Sequence, residues 1–350
     1  MPALTAYGYD AYFEKAFEPH AAAGFAPARV CAREGSLYRL WTEAGDRLAG
    51  LTGRYKHDLG RGAVFPALGD WTAADLEPAR AVIKAVLPRR SVVQRKEAGE
   101  RDRMQVLAAN VDVLFVVSGL DADFNPRRLE RYLAIIRESG ALAVILLNKA
   151  DLCPDVESRL AAARVVSGDT PVHVMSAKGG EGVDALDGYL TAGRTLALLG
   201  SSGAGKSTLV NRILGDEKQA TKGLRDDGRG RHTTTSREMF LTPTGAILMD
   251  TPGLREIQLA DAAEGLKQTF EDVEGLFARC RFSNCRHHQE PGCAVIAALD
   301  SGTLDAERWE SWLKLSHETG SRRLLDWQKR RLDRKYARVV DEALKRKGRK

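Results

Sequence analysis

The sequence predicts a multidomain α/β protein in three folded parts: a small OB-like β-barrel, a central parallel-sheet domain, and a helical C-terminal domain. Three observations carry this expectation. Residues 29–72 hold short β-prone runs (ARVCARE, LYRLWT, RLAGLTG, AVFPALGDW) broken by glycine and polar turns, the spacing of a small barrel or sandwich. From about 104 to 253, short apolar runs alternate with helix-length segments, the grammar of a parallel sheet buried on both faces. After about 261 the chain reads as helical around a cluster of Cys280, Cys285, His287, His288 and Cys293.

The expected divisions are an amphipathic extension at 1–27 (with Tyr7, Tyr9, Tyr12 and Phe13), the OB-like domain at 28–96, the parallel-sheet domain at 97–257, and the helical domain with a basic tail at 258–350. A charged stretch, PRRSVVQRKEAGERDR at 88–103, reads as a linker. The sheet runs are VDVLFVVSG (111–119), ALAVILLNKAD (141–151), PVHVMSAK (171–178), RTLALLGSSGAGKS (194–207) and GAILMDTPG (245–253). Apolar spacing at Trp309, Trp312 and Leu313, and at Leu325, Leu332, Tyr336 and Val340, predicts terminal helices.

Composition narrows the class. With 43% hydrophobic and 29% charged residues in 350, the chain has a globular balance rather than a disordered one. No apolar run approaches the roughly 18 residues of a membrane span, and the start, MPALTAYGYDAYFEK, lacks a basic-then-apolar leader. A cytoplasmic chain without membrane partners is expected. Net charge is +6 but uneven. Residues 321–350 carry 13 Lys/Arg against 4 Asp/Glu, and residues 26–96 carry 13 against 7. Two basic flanks around an acidic middle suggest a polyanion held from both sides; the alternative is solvated helix faces.

The chemistry-bearing motifs sit at strand ends. Gly200-Ser201-Ser202-Gly203-Ala204-Gly205-Lys206-Ser207, with Thr208 next, completes a phosphate-binding loop between the strand RTLALL and the helix STLVNRIL. Its N–H groups and the helix dipole suit phosphate oxygens. Lys206 is placed to reach the β- and γ-phosphates and Ser207 to supply a hydroxyl to Mg²⁺. Asp250-Thr251-Pro252-Gly253 follows GAILM. Asp250 suits Mg²⁺ through water, and Gly253 N–H suits the γ-phosphate. Asn148-Lys149-Ala150-Asp151 follows LAVILL. Asp151 can accept from guanine N1–H and the exocyclic amine, a donor pair adenine lacks. Lys149 can lie along the base, and Asn148 can tie loops together and reach N7. Ser176-Ala177-Lys178 follows PVHVM, where Ala177 N–H can meet guanine O6.

Asn-Lys-x-Asp and Ser-Ala-Lys precede the phosphate loop and Asp-Thr-Pro-Gly here. The cyclic order of a Ras-like GTPase is kept and its starting point moved, which a domain with adjacent termini tolerates. The second switch, after Gly253, then runs directly into the C-terminal domain. Between them, TKGLRDDGRGRHTTTS (221–236) is Gly-rich and charged, a switch that nucleotide would order. One of Thr233, Thr234 or Thr235 could complete the Mg²⁺ shell. Leu254 stands where Ras-like enzymes carry a water-orienting Gln, so another group must serve. His232 is the candidate, with a solvated residue or an RNA contact as alternatives.

Cys280-x4-Cys285-x-His287-x5-Cys293 supplies three thiolates and an imidazole, a common set for structural zinc, and Pro291-Gly292 favours the tight turn it needs. On spacing alone His288 rivals His287. Four filled positions leave no place for reactive water, so the expected zinc ion is structural.

The permuted NKAD…SAK…GSSGAGKS…RHTTT…DTPG order with this cysteine cluster resembles the RsgA (YjeQ/YloQ) family of small-subunit-dependent GTPases, over about residues 28–300. The resemblance implies an OB domain, a permuted GTPase domain and a zinc domain. Its Cys-x4-Cys-x-His-x5-Cys pattern selects His287, and its proposed catalytic histidine matches His232. It further implies binding to the 30S ribosomal subunit and its 16S rRNA in late maturation, with GTP hydrolysed to GDP faster on that particle. The chain is expected to act as a monomer. An RNA-binding scaffold with a switching nucleotide site is a second reading; an ATP-using kinase or transporter subunit is disfavoured by Asp151.

Overall fold

A computed structural model describes residues 3–59, 64–96, 104–215, 237–250, 263–287, 290–316 and 318–319. The chain divides into compact units Met1–Gln258 and Leu259–Lys350.

In the first unit, β1 (Ala26–Glu34), β2 (Leu37–Thr42), β3 (Gly45–Leu51), β4 (Trp71–Asp75) and β5 (Ala81–Val86) run in the order β1-β2-β3-β5-β4. Pairing of β1 with β4 closes them into a barrel. Inward residues alternate along the strands, and Val30, Tyr38, Leu40, Ala49, Ala74 and Ile83 pack together in the barrel core. The fourth expected strand is corrected: in AVFPALGDW only Trp71 is in β4. Pro66 offers no ladder donor, and the buried Asp70 carboxylate instead accepts from Ala67 N–H at 2.7 Å and pairs with Arg89. A short helix α2 (Gly53–Asp58) follows β3.

The N-terminal extension packs against the barrel through Trp41 and Trp71. Asp10 caps α1 (Ala11–Ala21), its side chain accepting from Tyr12 N–H. Phe13 and Phe17, four apart on one helix face, are both buried. Tyr7 stacks on Trp41 with centroids 4.8 Å apart, and Tyr9 meets Trp71 edge-on at 4.8 Å.

The supposed linker at 88–103 is corrected over residues 92–96, while residues 97–103 lie outside the described residues. β6 (Val92–Lys96) pairs antiparallel with β7 (Met104–Ala109) from Val92–Ala109 to Lys96–Met104, with a register shift between Val93 and Gln94. Its polar composition hid a half-buried strand: Val93 and Leu107 are fully enclosed.

The five apolar runs form the parallel sheet as expected. β8 (Val113–Gly119), β9 (Leu142–Asn148), β10 (Val172–Val174), β11 (Thr195–Leu199) and β13 (Ile247–Asp250) run parallel in the order β10-β9-β8-β11-β13. β12 (Arg237–Leu241) adds an antiparallel edge, and its pairing with β1 makes barrel and sheet one continuous hydrogen-bonded surface. α3 (Pro126–Ser139), α4 (Val156–Ser167) and α5 (Lys206–Leu214) supply the crossovers. α3 has proline at its first position, Asn125 accepting from Arg127 and Arg128 N–H, and left-handed Gly140 at its end.

Arg29 joins these parts. Its side chain is buried and donates to the carbonyls of Tyr7, Gly69 (3.3 Å) and Asn110 (3.2 Å) and to Thr195 Oγ1 (2.8 Å). One guanidinium therefore ties extension, barrel and β11. Burial pulls its pKa down to about 10, which still leaves it charged at pH 7. Arg29→Met strands several buried carbonyls, each worth about 1–3 kcal/mol unpaired. We expect a loss of at least roughly 3 kcal/mol in urea unfolding; a change under about 1 kcal/mol would show that these carbonyls find other donors.

The second unit contains α6 (Ala263–Thr269), α7 (Glu271–Phe277), α8 (Ala294–Asp300) and α9 (residues 306–316). Arg308 holds Asp272 through two 2.6 Å hydrogen bonds and reaches the Thr269 carbonyl at 3.0 Å. Phe270, Val273 and Val295 are completely buried. Of the expected terminal helices, Trp309, Trp312 and Leu313 lie on α9, whereas Leu325, Leu332, Tyr336, Val340 and the basic tail lie outside the described residues.

Candidate nucleotide site and metal centre

Five parallel strands end on one edge of the sheet, where ligands of open α/β sheets bind. β9 delivers Asn148, Lys149, Ala150 and Asp151, β10 leads to Ser176, β11 leads to Gly200, and β13 ends at Asp250. Side chains then lock the loops together. Asn148 Nδ2 donates to the Ala204 carbonyl at 2.9 Å, and its Oδ1 accepts from Ala177 N–H at 2.8 Å. One amide thus joins NKAD, SAK and the phosphate loop. Ala177 N–H meets Asn148 in this structure, in place of the open donor expected for a guanine carbonyl. Ser176 Oγ accepts from Gly179 N–H at 2.9 Å, and Asp151 is solvent-exposed.

The phosphate loop needs its glycines for space. Gly205 has φ +97°, and a Cβ there would stand 2.1 Å from Asn148 Nδ2, so a larger residue would expel the amide that links the loops. Lys206 opens α5, is buried, and donates to the Gly200 carbonyl at 2.6 Å and to the Ser201 carbonyl. Ser202, Gly203, Ser207 and Thr208 face solvent. A row of exposed loop atoms above a buried ammonium suits a polyphosphate.

Sequence reasoning overlooked three contributors. Arg212 of α5 donates to the carbonyls of Ala177 (2.7 Å) and Lys178 (3.0 Å), fastening SAK to the phosphate-loop helix. Asp121 accepts from Lys149 Nζ at 2.5 Å and Asp123 from Ser201 Oγ at 2.5 Å. Their position just past the end of β8, on the ligand-bearing edge, was the available signal. Thr251, Pro252, Gly253, Leu254, His232 and Thr233–Thr235 lie outside the described residues.

In the second unit the four expected ligands converge. The ligand atoms of Cys280, Cys285, His287 and Cys293 all lie within 4.8 Å of one another. His287 Nδ1 is 3.5 Å from Cys280 Sγ and 3.6 Å from Cys293 Sγ. His288 lies outside the described residues. His287 takes a left-handed φ of 58°, and Phe277 stacks on its ring at 4.3 Å. Gly292, at φ +78°, makes the expected turn. Burial works to raise the Cys280 thiol, but the Ala294 and Val295 N–H groups at the head of α8 and the neighbouring thiols bring it below its ordinary value. Burial also lowers His287, favouring the neutral imidazole that ligates metals. The donor set and its spread fit one tetrahedral metal ion.

Comparison with known proteins agrees with this geometry. A family model described as RsgA GTPase matches residues 86–260. A protein of Opitutus terrae named small ribosomal subunit biogenesis GTPase RsgA is 48% identical over 327 residues, covering 90% of this chain and 89% of that protein. A protein of the same name from Leptospira interrogans serovar copenhageni is 37% identical, covering 99% and 98%. The structure of YjeQ from Thermotoga maritima superposes with a TM-score of 0.63 at 25% identity, covering 84% of this chain and 98% of that one. YloQ, described as a circularly permuted GTPase, shares the fold with a TM-score of 0.58 at 21% identity, covering 85% and 96%. Among the described residues, no helix is long and apolar enough to cross a membrane. A rotated motif order, a closed barrel ahead of it and a Cys3His cluster behind it therefore have one source: this chain belongs to the RsgA GTPase family, hydrolases that act on GTP.

Proposed function

We propose that the chain binds the maturing 30S ribosomal subunit through its 16S rRNA, hydrolyses GTP faster on that particle, and uses hydrolysis to time its release. The observation that carries this reading is the bridge made by Asn148 between the NKAD, SAK and phosphate loops. Asn148 reaches residues 56 and 29 positions away in the rotated order, which supports reading the three loops as one guanine-triphosphate cradle. The names of the relatives, which specify small-subunit biogenesis, support the partner.

In this reading Asp151 selects guanine, with Asn148, Lys149, Ala150, Ser176, Ala177 and Lys178 around the base. Gly200 through Thr208 wrap the phosphates, and Ser207 with Asp250 holds Mg²⁺, which neutralises phosphate charge. Gly253 meets the γ-phosphate. Lys206 offsets charge as the γ-phosphoryl leaves, and His232 orients water. No arginine finger is evident in the sequence, so turnover alone is slow. The metal of the second unit is one structural zinc. The chain works as a cytoplasmic monomer.

The test is GTP hydrolysis with and without purified 30S particles, with 50S particles as control. Stimulation by 30S alone is expected; equal rates in all three would favour a scaffold that only switches. Asp151→Asn removes two charged hydrogen bonds to guanine and should weaken GTP by about 100-fold, roughly 3 kcal/mol, while favouring xanthosine triphosphate. Competition binding with the two nucleotides measures this, and unchanged guanine preference would reject Asp151 as the base reader.

A further inference from the structure

The loop joining β8 to α3 (residues 120–125) lies outside the recognised nucleotide motifs, yet both its carboxylates end on residues within them. Asp121 Oδ2 accepts from Lys149 Nζ at 2.5 Å, and Asp123 Oδ2 accepts from Ser201 Oγ at 2.5 Å. The loop is itself clamped. Asp121 Oδ1 accepts from Asp123 N–H at 3.1 Å, Arg159 of α4 donates to the Asp121 carbonyl at 2.5 Å, and Leu120 N–H donates to the Asn148 carbonyl at 2.7 Å. Arg128 of α3 pairs with Asp123 at 2.6 Å.

We propose that Asp121 and Asp123 are positioning residues for the guanine nucleotide, Asp121 setting Lys149 along the base and Asp123 setting Ser201 at the start of the phosphate loop. The proposal rests on the site reading given above. Its first support is energetic. Side-chain exposure is 27% for Lys149 and 31% for Asp121, and 45% for Asp123; ion pairs this open contribute little to folding. Their contribution is geometric. A lysine stem must give up its rotamer freedom to lie along a purine, and a carboxylate at its far end removes that freedom beforehand. Lys149 also holds a left-handed φ of 66°, a conformation that L side chains keep only when the surroundings demand it.

Charge supplies the second support. A bare carboxylate beside a triphosphate repels it, but here each one has its own cation, Lys149 or Arg128. The Lys149 hydrogen bond holds Asp121 below the ordinary carboxylate range, and Arg128 with Ser201 does the same for Asp123. Both therefore stay ionised and paired at neutral pH. Neutralising either one leaves extra positive charge near the nucleotide. Coulomb attraction alone then predicts tighter binding, whereas positioning predicts weaker binding, so the two accounts differ in sign.

The experiment titrates the full chain with mant-GDP and mant-ADP. The variants are Asp121→Asn, Lys149→Met and their double, and Asp123→Asn, Ser201→Ala and their double. Asp121→Asn and Asp123→Asn should each weaken mant-GDP by about tenfold, and each double should bind no worse than its weaker single, a coupling of about tenfold. Unchanged or tighter binding in the Asn variants, or losses that multiply in the doubles, would overturn the proposal while wild-type preference for mant-GDP persists. Wild type without that preference would instead sink the site reading, and this inference with it. Thermal unfolding checks the fold; where an Asn variant unfolds early, Asp→Glu at the same position, read in the same cycle, replaces it.

Discussion

Lys206→Ala is expected to lower GTP turnover on the stimulating particle by about 10²–10³-fold, the usual cost of deleting one preorganised group that stabilises transition-state charge. The structure explains why the loss should fall on the chemical step. Lys206 begins α5, is buried, and is drawn back over the loop by the carbonyls of Gly200 and Ser201. On the proposed reading, this charge is held at the phosphate loop before γ-phosphoryl transfer begins. Alanine removes the charge and leaves these carbonyls without that donor. Single-turnover hydrolysis at saturating GTP, alongside mant-GTP affinity, separates chemistry from binding. A rate within about threefold of wild type would remove Lys206 from the reaction.

Removing the metal should cost the second unit its fold. A structural zinc in a small domain contributes about 10–16 kcal/mol at pH 7, as much as a typical domain's whole stability of about 5–15 kcal/mol. Cys293 is buried at the N-terminal boundary of α8, and His287 packs against Phe277 and Trp309. Two of the four candidate ligands are therefore also packing residues of the unit. Chelation, or Cys293→Ser, should abolish the near-ultraviolet circular dichroism of the stacked Trp309–Trp312 pair, whose rings lie 5.1 Å apart at 7°. Returning zinc should restore the chelated protein and leave the variant unchanged. A full aromatic signal in metal-free protein would show that α6–α9 pack without the ion.

The parallel sheet could be read because its strands are buried on both faces and so appear as unbroken apolar runs. The phosphate loop and cysteine cluster could be read because their chemistry tolerates few other residues at those spacings. Other elements escaped for a shared reason. Val92–Lys96 is a polar-looking segment that becomes a strand only beside Met104–Ala109. Tyr7 and Phe13 in the first 27 positions become buried only where Trp41 and Trp71 meet them. Asp121 and Asp123 look like ordinary turn residues, and their partners lie 28 and 78 positions away.

Local pattern in the chain thus specified the kinds of element, the cysteine cluster and the phosphate loop, because helix and strand periods and glycine backbone angles are settled within a few residues of one another. Folding decided which of those pieces touch. Asn148 joins three loops, Arg29 joins barrel to sheet, and a carboxylate meets the end of Lys149, because strand order and barrel closure bring distant segments together at one edge. Such contacts depend on three-dimensional packing of residues whose own neighbours carry no sign of the partner.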